Sequence, residues 1–560
     1  MQRAWDGPTL RVALATIGVS ALIAILLTAL RAAVGNPFEL GIFRHLLLFQ
    51  DYYALAPFMA VAAAALYPPI RAVGMHVARI CGEHISAVAL ASAAALSLGA
   101  FLVVHQQPLS LDEYAVVFQA RVFAEGHLTA HYPPGFVDWL IPKFLQGRFL
   151  QVYRDGQVLS LYWPGFSLLL TPFAAIGMPW LLNPLISGAT LVVLHRLALR
   201  LFGDAASAGY VVLFTLASPV IAIDGMSYYT MPAHLLFNAL FTLLLLDRTP
   251  ARAFAAGLVG SWALVLHNPV PHMLYALPWI GWLLLQPRGA RLLAALAAGY
   301  LPVSLAIGWG WAFYIDHVGS RASVEAIATP AAAADLFVRR LTSMLGFVSR
   351  EALFAHLLHL VKIWLWAMPG LIVMAAVGLW GARRDRGPWL ALAASVLLTY
   401  FGYFLVRFDQ GHGWGSRYFH SAWLALPLLA VAGMRSLSAK NADSPDRARS
   451  TLPAYLAGCA FLSLVALTGL RAVQVERFIA RHLAQAPSAP SGEARVLIVD
   501  PRSGYYAWDL VQNDPLLRNR VLMLSSRGAQ NDRAMMAARF PQYRLLSEDR
   551  RGSAWGPPSP

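Results

Sequence analysis

Long apolar runs separated by short polar or basic segments dominate the pattern along this chain. A helix needs about 20 mostly apolar residues to cross a hydrocarbon core of about 30 Å. We therefore predict about thirteen transmembrane helices, near residues 11–32, 52–70, 85–105, 180–202, 205–224, 231–247, 251–267, 272–286, 292–314, 360–380, 388–406, 418–434 and 453–473. A shorter apolar stretch bracketed by prolines, 162–177, is predicted to be interfacial or re-entrant.

The pattern changes after residue 475, where apolar positions become short and strand-like. ARVLIVD (494–500) and RVLMLSS (520–526) predict two buried strands, and GYYAWDLVQ (504–512) predicts the start of a helix between them. This order indicates a small α/β soluble domain over 476–560. A Pro/Ser-rich linker at 484–493 precedes it, and we expect 551–560 to be frayed.

Composition supports a membrane protein. The chain is 58% hydrophobic and only 13% charged, with a mean hydropathy of +0.56, whereas soluble domains carry roughly 25% charged residues. The net charge of +15 does not predict a nucleic-acid partner, because the basic residues punctuate apolar runs instead of clustering on one face. Arg196, Arg200, Arg248 and Arg252 mark two of the basic turns, which the positive-inside rule assigns to the cytoplasm.

With that orientation, the long segments 106–160 and 315–358, the loop 407–417 and the C-terminal domain lie outside. The first of these begins with two adjacent carboxylates, Asp112 and Glu113. One interpretation is structural: Ser110 and Glu113 fit a capping box, and the helix dipole favours Asp112 in a first turn. The functional interpretation is that Asp112 lies at the bilayer boundary, where desolvation raises its pKa and makes it a better base.

An apolar stripe follows the two carboxylates and predicts a helix lying along the membrane surface; it comprises Tyr114, Val117, Phe118 and Val122. Farther on, Arg154-Asp155-Gly156 predicts a hairpin turn, and Pro164-Gly165 interrupts the chain before an apolar helix. The chain thus has a carboxylate pair, then an amphipathic helix, then the segment VYRDGQVLSLYWPGFSLLLTPFAAIG (152–177). This order resembles the GT-C superfamily of integral-membrane glycosyltransferases that use polyprenyl-phosphate sugars.

A glycine-rich loop strengthens the resemblance. VRFDQGHGWGSRYFHSAWLALPLL (406–429) is similar to a signature of many such transferases. Glycines 411, 413 and 415 let backbone amides approach an anion, and Arg417 or Arg407 offers multidentate phosphate binding. The alternative is a tight loop whose arginines anchor at lipid headgroups.

A third segment, LHNPVPH (266–272), carries His267 where superfamily members often have Lys or Arg near the lipid phosphate. A histidine near its unperturbed pKa of about 6.5 is only partly cationic, and two histidines capping a membrane turn are an equal alternative. Candidate substrate contacts are His272, His412, His420 and Tyr162. His267 and His272 lack a third ligand with sensible spacing, and Cys81 and Cys459 lie far apart in sequence, so no metal site is predicted.

The resemblance implies an all-α polytopic GT-C-like membrane protein with periplasmic juxtamembrane helices. Residues 1–84 would add an N-terminal transmembrane hairpin, 85–475 would form the catalytic domain with external loop 106–160, and 476–560 would form the small α/β domain. The protein would lie in the bacterial inner (plasma) membrane, with its site and C-terminal domain facing the periplasm.

The implied activity is transfer of a hexosyl or pentosyl group, with inversion, from a polyprenyl-phosphate donor to a lipid, glycan or protein acceptor of the cell envelope. Asp112, with Glu113 beside it, is the catalytic carboxylate, and Arg417, Arg407 and His267 bind the donor phosphate. No cofactor is predicted, and a divalent metal ion stays open. We expect Asp112 within about 15 Å of Arg417 in a shared vestibule. A lipid or glycan transporter or flippase is the alternative, and a non-catalytic lipid-carrier binder is a third.

Overall fold

The computed structural model describes residues 6–322, 346, 348–384, 387–442, 450–488 and 493–558. Parts of two predicted segments, the external segment 315–358 and the linker 484–493, lie outside these residues. Twenty-four α-helices are described. Helices α1 to α16 are, in order, Gly7–Ala32, Ile42–Phe49, Leu55–Ala64, Pro68–Glu83, Ile85–Leu102, Leu111–Ala124, Val137–Leu140, Gly165–Ala175, Leu182–Phe202, Ala205–Leu216, Pro219–Met226, Met231–Leu245, Pro250–Val265, Val270–Leu284, Gly289–Val303 and Gly310–Ala322. Helices α17 to α24 are Arg350–Trp366, Leu371–Ala382, Pro388–Gly402, Arg417–His420, Ala425–Ala442, Leu452–Leu462, Thr468–Leu483 and Ala529–Arg539.

Seven described helices or continuous helical stretches are long and apolar enough to cross a membrane: Gly7–Ala32, Ile42–Ala64, Ile85–Leu102, Pro179–Phe202, Gly289–Val318, Pro388–Leu405 and Leu452–Leu483. Two bent pairs raise the count to nine if each is one span: α10 with α11, bent by 62°, and α17 with α18, bent by 112°. Helices also occupy the remaining predicted segments, but they are shorter. The chain is therefore a multi-pass helical membrane protein, while the predicted count of thirteen spans is not confirmed.

Helix α6, which begins at Leu111, is buried on both faces. Val116, Val117 and Ala120 pack with residues of α8, α9 and α12, whereas Tyr114 and Phe118 pack with the C-terminal sheet. The predicted helix is confirmed, and both of its faces pack against protein. Its place along the membrane surface stays a prediction. Of the predicted apolar stripe, Tyr114, Phe118 and Val122 pack with the C-terminal unit, whereas Val117 packs with the helices on the other side.

A small sheet follows α6, with strands β1 (Ala130–His131), β2 (Leu150–Val152) and β3 (Gln157–Ser160) in the order β1-β3-β2. The predicted hairpin between β2 and β3 is confirmed by their antiparallel pairing. Gly156 has φ +89° there, and a Cβ at this position would lie 1.9 Å from the Tyr132 carbonyl oxygen. Gly165 likewise allows α8 to start against α13, because a Cβ would lie 2.5 Å from the Val265 carbonyl oxygen.

The C-terminal α/β unit has strands β4 (Val496–Val499), β5 (Leu522–Ser525), β6 (Arg544–Asp549) and β7 (Gly552–Gly556), in the order β5-β4-β7-β6. The two predicted strands are confirmed and pair in parallel. The helix predicted at 504–512 is only a 3₁₀ turn, Ala507–Leu510. The frayed end predicted at 551–560 is wrong for 552–556, because β7 is an inner strand between β4 and β6; residues 559–560 lie outside the described part of the chain.

A buried charge cluster joins the N-terminal helices to the rest of the bundle. Asp51 accepts a hydrogen bond from Arg471 Nη1 at 2.8 Å, and Lys362 Nζ lies 3.4 Å from its other oxygen. Trp366 Nε1 also donates to Asp51, at 2.9 Å. All three charged side chains are at most 2% exposed. This charged core cluster lies in the same hydrophobic core as helices from both ends of the bundle.

Candidate active site

A cavity of about 490 Å³ lies where the external loop, the 266–271 turn and the glycine-rich loop meet. Four of the predicted site residues line it: Asp112, Tyr162, His267 and Arg417. Its exposed lining residues include Gly147, Arg148 and Phe408, whereas its buried lining residues include Thr230, His234 and Ser421. The cavity thus has exposed and buried lining residues, and Asp112 and Arg417 are half-buried.

Asp112 and Arg417 form an ion pair in the cavity wall. Arg417 Nη1 donates to Asp112 Oδ2 at 2.9 Å, and the Tyr162 hydroxyl donates to Asp112 Oδ1. The Arg417 guanidinium also lies over the ring of Tyr229, 4.3 Å from its centroid. The structure therefore brings the two residues into direct contact, well within the separation expected from the sequence.

The loop before Arg417 holds this arginine in place. Its Nη1 donates to the carbonyl oxygens of Gln410 and His412, at 3.0 and 2.7 Å, and its backbone amide donates to Gln410 Oε1 at 2.8 Å. Gly413 has φ +118°, and a Cβ there would lie 2.4 Å from Arg417 Cδ. Glycine at this position thus makes room for the arginine side chain, a constraint separate from the anion contact that the sequence suggested.

The electrostatics of Asp112 differ from the expectation. Burial raises the pKa of Asp112, but the charge of Arg417 and the hydrogen bonds from Tyr162 and Arg417 outweigh burial, so the pKa falls below its ordinary value of 3.8. The expected net rise was wrong because the sequence did not show the guanidinium in contact with the carboxylate. Asp112 is therefore ionised throughout the physiological pH range.

His267 is neutral in this arrangement. Burial lowers its pKa to about 4, and the nearby Asp112 only partly opposes that effect. Asn268 Oδ1 accepts a hydrogen bond from the Val270 amide, so its Nδ2 is the donor to His267 Nδ1, at 2.7 Å. The proton of the neutral imidazole therefore lies on Nε2. This corrects the expectation of a partly cationic His267.

Glu113 does not line the cavity, although it neighbours Asp112 in sequence. Its carboxylate accepts the backbone amides of Leu109 and Tyr228, at 2.9 and 2.8 Å. Burial raises its pKa to about 7. Glu113 therefore has a structural role, because its carboxylate connects the start of α6 to the segment before α12. The contact is not the predicted capping box, since the amide that Glu113 binds is that of Leu109 and not that of Ser110.

The other candidate residues lie outside the cavity wall. Arg407 is exposed and packs against Gly346. His412 lies 3.0 Å from Asp509 of the C-terminal unit, and His420 lies 2.9 Å from Asp224. His272 bonds Asn238 and Tyr300, at 2.7 and 2.6 Å. The three histidine rings are thus used in protein contacts, and Arg407 lies outside the cavity wall. The predicted substrate contacts of the histidines and the predicted phosphate contact of Arg407 gain no geometric support.

Several cavity residues were missed by the sequence reasoning, among them Arg148, His234 and Gln410, and so was Tyr229, whose ring packs against the Arg417 guanidinium. His234 lies in an apolar helix, and nothing local distinguishes it from a core histidine. Arg148 lies two residues before β2. Because Leu150 pairs with Ser160 in the hairpin, Arg148 comes opposite the YWPG motif that starts at Tyr162, and this pairing was the available signal. Within the residues that the structure describes, no group of three or more His, Cys, Asp or Glu is arranged to hold a metal ion.

Fold and cavity together define a polytopic helical membrane protein. Two solved structures that share this fold are of ArnT from Cupriavidus metallidurans. The one bound to undecaprenyl phosphate matches at 14% identity and a TM-score of 0.51, over 84% of this chain and 97% of ArnT. The apo form matches over the same shares at 15% identity and 0.50. No protein-family model and no curated protein sequence matches the chain.

Proposed function

We propose that the protein is a glycosyltransferase that moves a sugar from a polyprenyl-phosphate donor to a cell-envelope acceptor. One observation carries this proposal: an ionised carboxylate, Asp112, is held by Arg417 and Tyr162 in the wall of a large cavity of a GT-C-type fold. The undecaprenyl phosphate bound to ArnT, which shares the fold, supports a lipid phosphate as ligand.

The reaction is an inverting displacement. An acceptor hydroxyl or amine attacks the anomeric carbon while the bond from that carbon to the phosphate oxygen breaks. Asp112 takes the proton released by the acceptor, and polyprenyl phosphate leaves with the bonding electron pair. Because Asp112 is already ionised beside Arg417, it needs no activating base of its own.

Arg417 serves two partners in this proposal. Its Nη1 is fully used by Asp112 and two carbonyl oxygens, whereas its Nε and Nη2 have no hydrogen-bond partner among the described residues. These two nitrogens lie side by side on the guanidinium and suit two oxygens of a phosphate. Arg417 would thereby stabilise charge on the leaving phosphate, and neutral His267 would contribute a hydrogen bond instead of a charge.

We place the protein in the bacterial inner membrane, with the cavity and the C-terminal unit on the periplasmic side. The basic turns support this orientation. Its partners are then membrane lipid, the lipid-linked donor and an acceptor that is a lipid, a glycan or a protein. The panel of donors described next also tests whether the transferred sugar is a hexosyl or a pentosyl group.

The test is turnover in membranes that contain the protein, supplied with a panel of undecaprenyl-phosphate sugars and extracted envelope acceptors. We expect release of undecaprenyl phosphate with one donor, and loss of that release in Asp112→Asn. The exposed Arg407→Gln, outside the cavity, serves as the control and should turn over normally. Turnover measured with and without EDTA addresses metal dependence. Full turnover by Asp112→Asn would contradict the base assignment.

Two outcomes would favour the alternatives. Donor movement across the bilayer without release of lipid phosphate would indicate a transporter or flippase. Binding of the lipid carrier with no turnover by the wild type on any donor would indicate a non-catalytic binder.

A further inference from the structure

One buried side chain that lines the cavity has no hydrogen-bond partner within the described ranges. His234 lies on α12, is 2% exposed and lines the cavity. Neither of its ring nitrogens has a hydrogen-bond partner in the described part of the chain. A buried polar group without a partner costs about 1–3 kcal/mol, and most buried polar side chains in proteins are bonded. An imidazole left in this state in a cavity wall is free to bond a ligand.

The surroundings of His234 define the chemistry of that ligand. Thr230 lies one helical turn earlier and also lines the cavity, so both side chains share one face of α12. The Thr230 hydroxyl has no hydrogen-bond partner among the described residues. The buried lining residues carry hydroxyl, imidazole, amide and apolar groups and no Lys or Arg. Such a wall suits a neutral, hydroxyl-bearing group and does not suit a phosphate.

The two arginines of the cavity wall are more exposed than these buried lining residues. Arg417 is half-buried and Arg148 is exposed. A lipid phosphate held by Arg417 would leave His234 and Thr230 for the group that the phosphate carries. A neutral imidazole offers one donor and one acceptor, which match a sugar hydroxyl that accepts and donates.

We propose that His234, with Thr230, forms a subsite that binds hydroxyl groups of the donor's sugar. This inference rests on the proposed function for the identity of the ligand and assigns its sugar-recognition residue. His234 is a binding and specificity residue here, since a site built to bond a hydroxyl is left unpaired by a ligand without one.

The experiment measures binding to the purified protein, so that it does not depend on turnover. The probes are undecaprenyl phosphate and its glucosyl, mannosyl, galactosyl and arabinosyl esters. We expect the wild type to bind one ester about tenfold more tightly than the bare phosphate. His234→Phe should lose this difference while keeping wild-type affinity for undecaprenyl phosphate, which shows that the variant is folded. His234→Gln retains a donor and an acceptor and should restore part of the difference.

Two results would overturn the subsite. One is an unchanged preference for the sugar ester in His234→Phe, and the other is a wild type that binds no ester better than the bare phosphate. Failure of the proposed function looks different, because a wild type without turnover can still show a sugar preference that His234→Phe removes. A wild type with turnover but no His234-dependent preference would keep the function and reject the subsite.

Discussion

Two clusters in this molecule pair a buried or half-buried aspartate with arginine, and their surroundings separate their roles. In the cavity, Asp112 meets Arg417 beside open space of about 490 Å³. In the charged core cluster, Asp51 meets both Arg471 and Lys362, with the indole of Trp366 as a further donor. Asp51 is not among the residues that line the cavity.

The difference teaches how to distinguish a chemical site from a structural one when both look alike in sequence. Asp112 and Arg417 both line a space that a ligand can enter. The Asp51 carboxylate is enclosed by side chains from α17 and α23, which carry Lys362 and Arg471. Charge in the core cluster fixes helix positions, whereas charge in the cavity lines the space that the proposed function assigns to substrate.

The largest expected effect is on catalysis. Asp112→Asn removes the proton acceptor, and we expect turnover of the lipid-linked donor to fall by about 10³-fold or more. The unfolding midpoint in detergent should change little, because the arginine left behind still reaches cavity water. An Asp112→Asn protein that unfolds early but turns over normally would reverse the roles assigned to the two clusters.

The core cluster should respond in the opposite way. Asp51→Ala leaves two cations buried without their carboxylate, which typically costs about 3–5 kcal/mol. Denaturant or thermal unfolding in detergent measures this loss. Asp247→Asn is a matched control, because it removes the carboxylate from a partly exposed pair with Arg200, a change worth about 1 kcal/mol or less. Turnover per folded molecule should survive in both variants.

A smaller effect concerns the second carboxylate at the start of α6. The pKa of Glu113 is raised from 4.5 to about 7 by burial, so the folded state binds this proton more tightly than the unfolded state. Its contribution to stability is complete below about 4.5 and is lost as pH rises through about 7. We expect on the order of 2 kcal/mol across this window.

The unfolding midpoint measured from pH 5 to 8 tests this dependence. Glu113→Gln should flatten the decline, because it has no titrating carboxyl group. Glu125→Gln, near the other end of α6 and paired with exposed Arg518, should keep the wild-type slope. An unchanged slope in Glu113→Gln would assign the pH dependence to another group.

The smallest expected effect tests geometry against charge at the cavity. Arg417→Lys keeps the positive charge but cannot hold Asp112, two carbonyl oxygens and a phosphate at once. We expect kcat/KM for the lipid-linked donor to fall about tenfold. Arg407→Lys, the same substitution in an exposed arginine of the same loop, should leave kcat/KM unchanged. Equal losses in the two variants would indicate a diffuse attraction for the lipid phosphate.

Much of the architecture was predictable because membrane helices and hairpin turns are local features. Apolar run length located the helices, and Asp155-Gly156 located the β2–β3 turn. The resemblance joined segments far apart in sequence, which is why Asp112, Tyr162, His267 and Arg417 were grouped before any geometry was known. The division of the chain into three domains and the catalytic and binding roles remain predictions.

The rest could not be predicted because it depends on contacts between distant segments. The sign of the Asp112 pKa shift required knowing that Arg417 touches it. The Glu113 carboxylate points away from the cavity because it binds the backbone amides of Leu109 and Tyr228. No local pattern around Glu113 in the sequence indicates that Tyr228 lies beside it. His234 could not be predicted as a site residue, because a histidine in an apolar helix is usually part of the core. Only the structure shows that His234 lines a cavity.

The inner position of β7 has a consequence for the order of assembly. One face of α6 rests on the C-terminal sheet, and the Tyr114 hydroxyl is bonded to Asn513 of that unit. The sheet in turn needs residues 552–556 as an inner strand. A growing chain that has already made α6 must therefore wait for residues more than four hundred positions later before this face of the helix is covered. Contacts of such long range form slowly, so the wall of the cavity is completed late in folding.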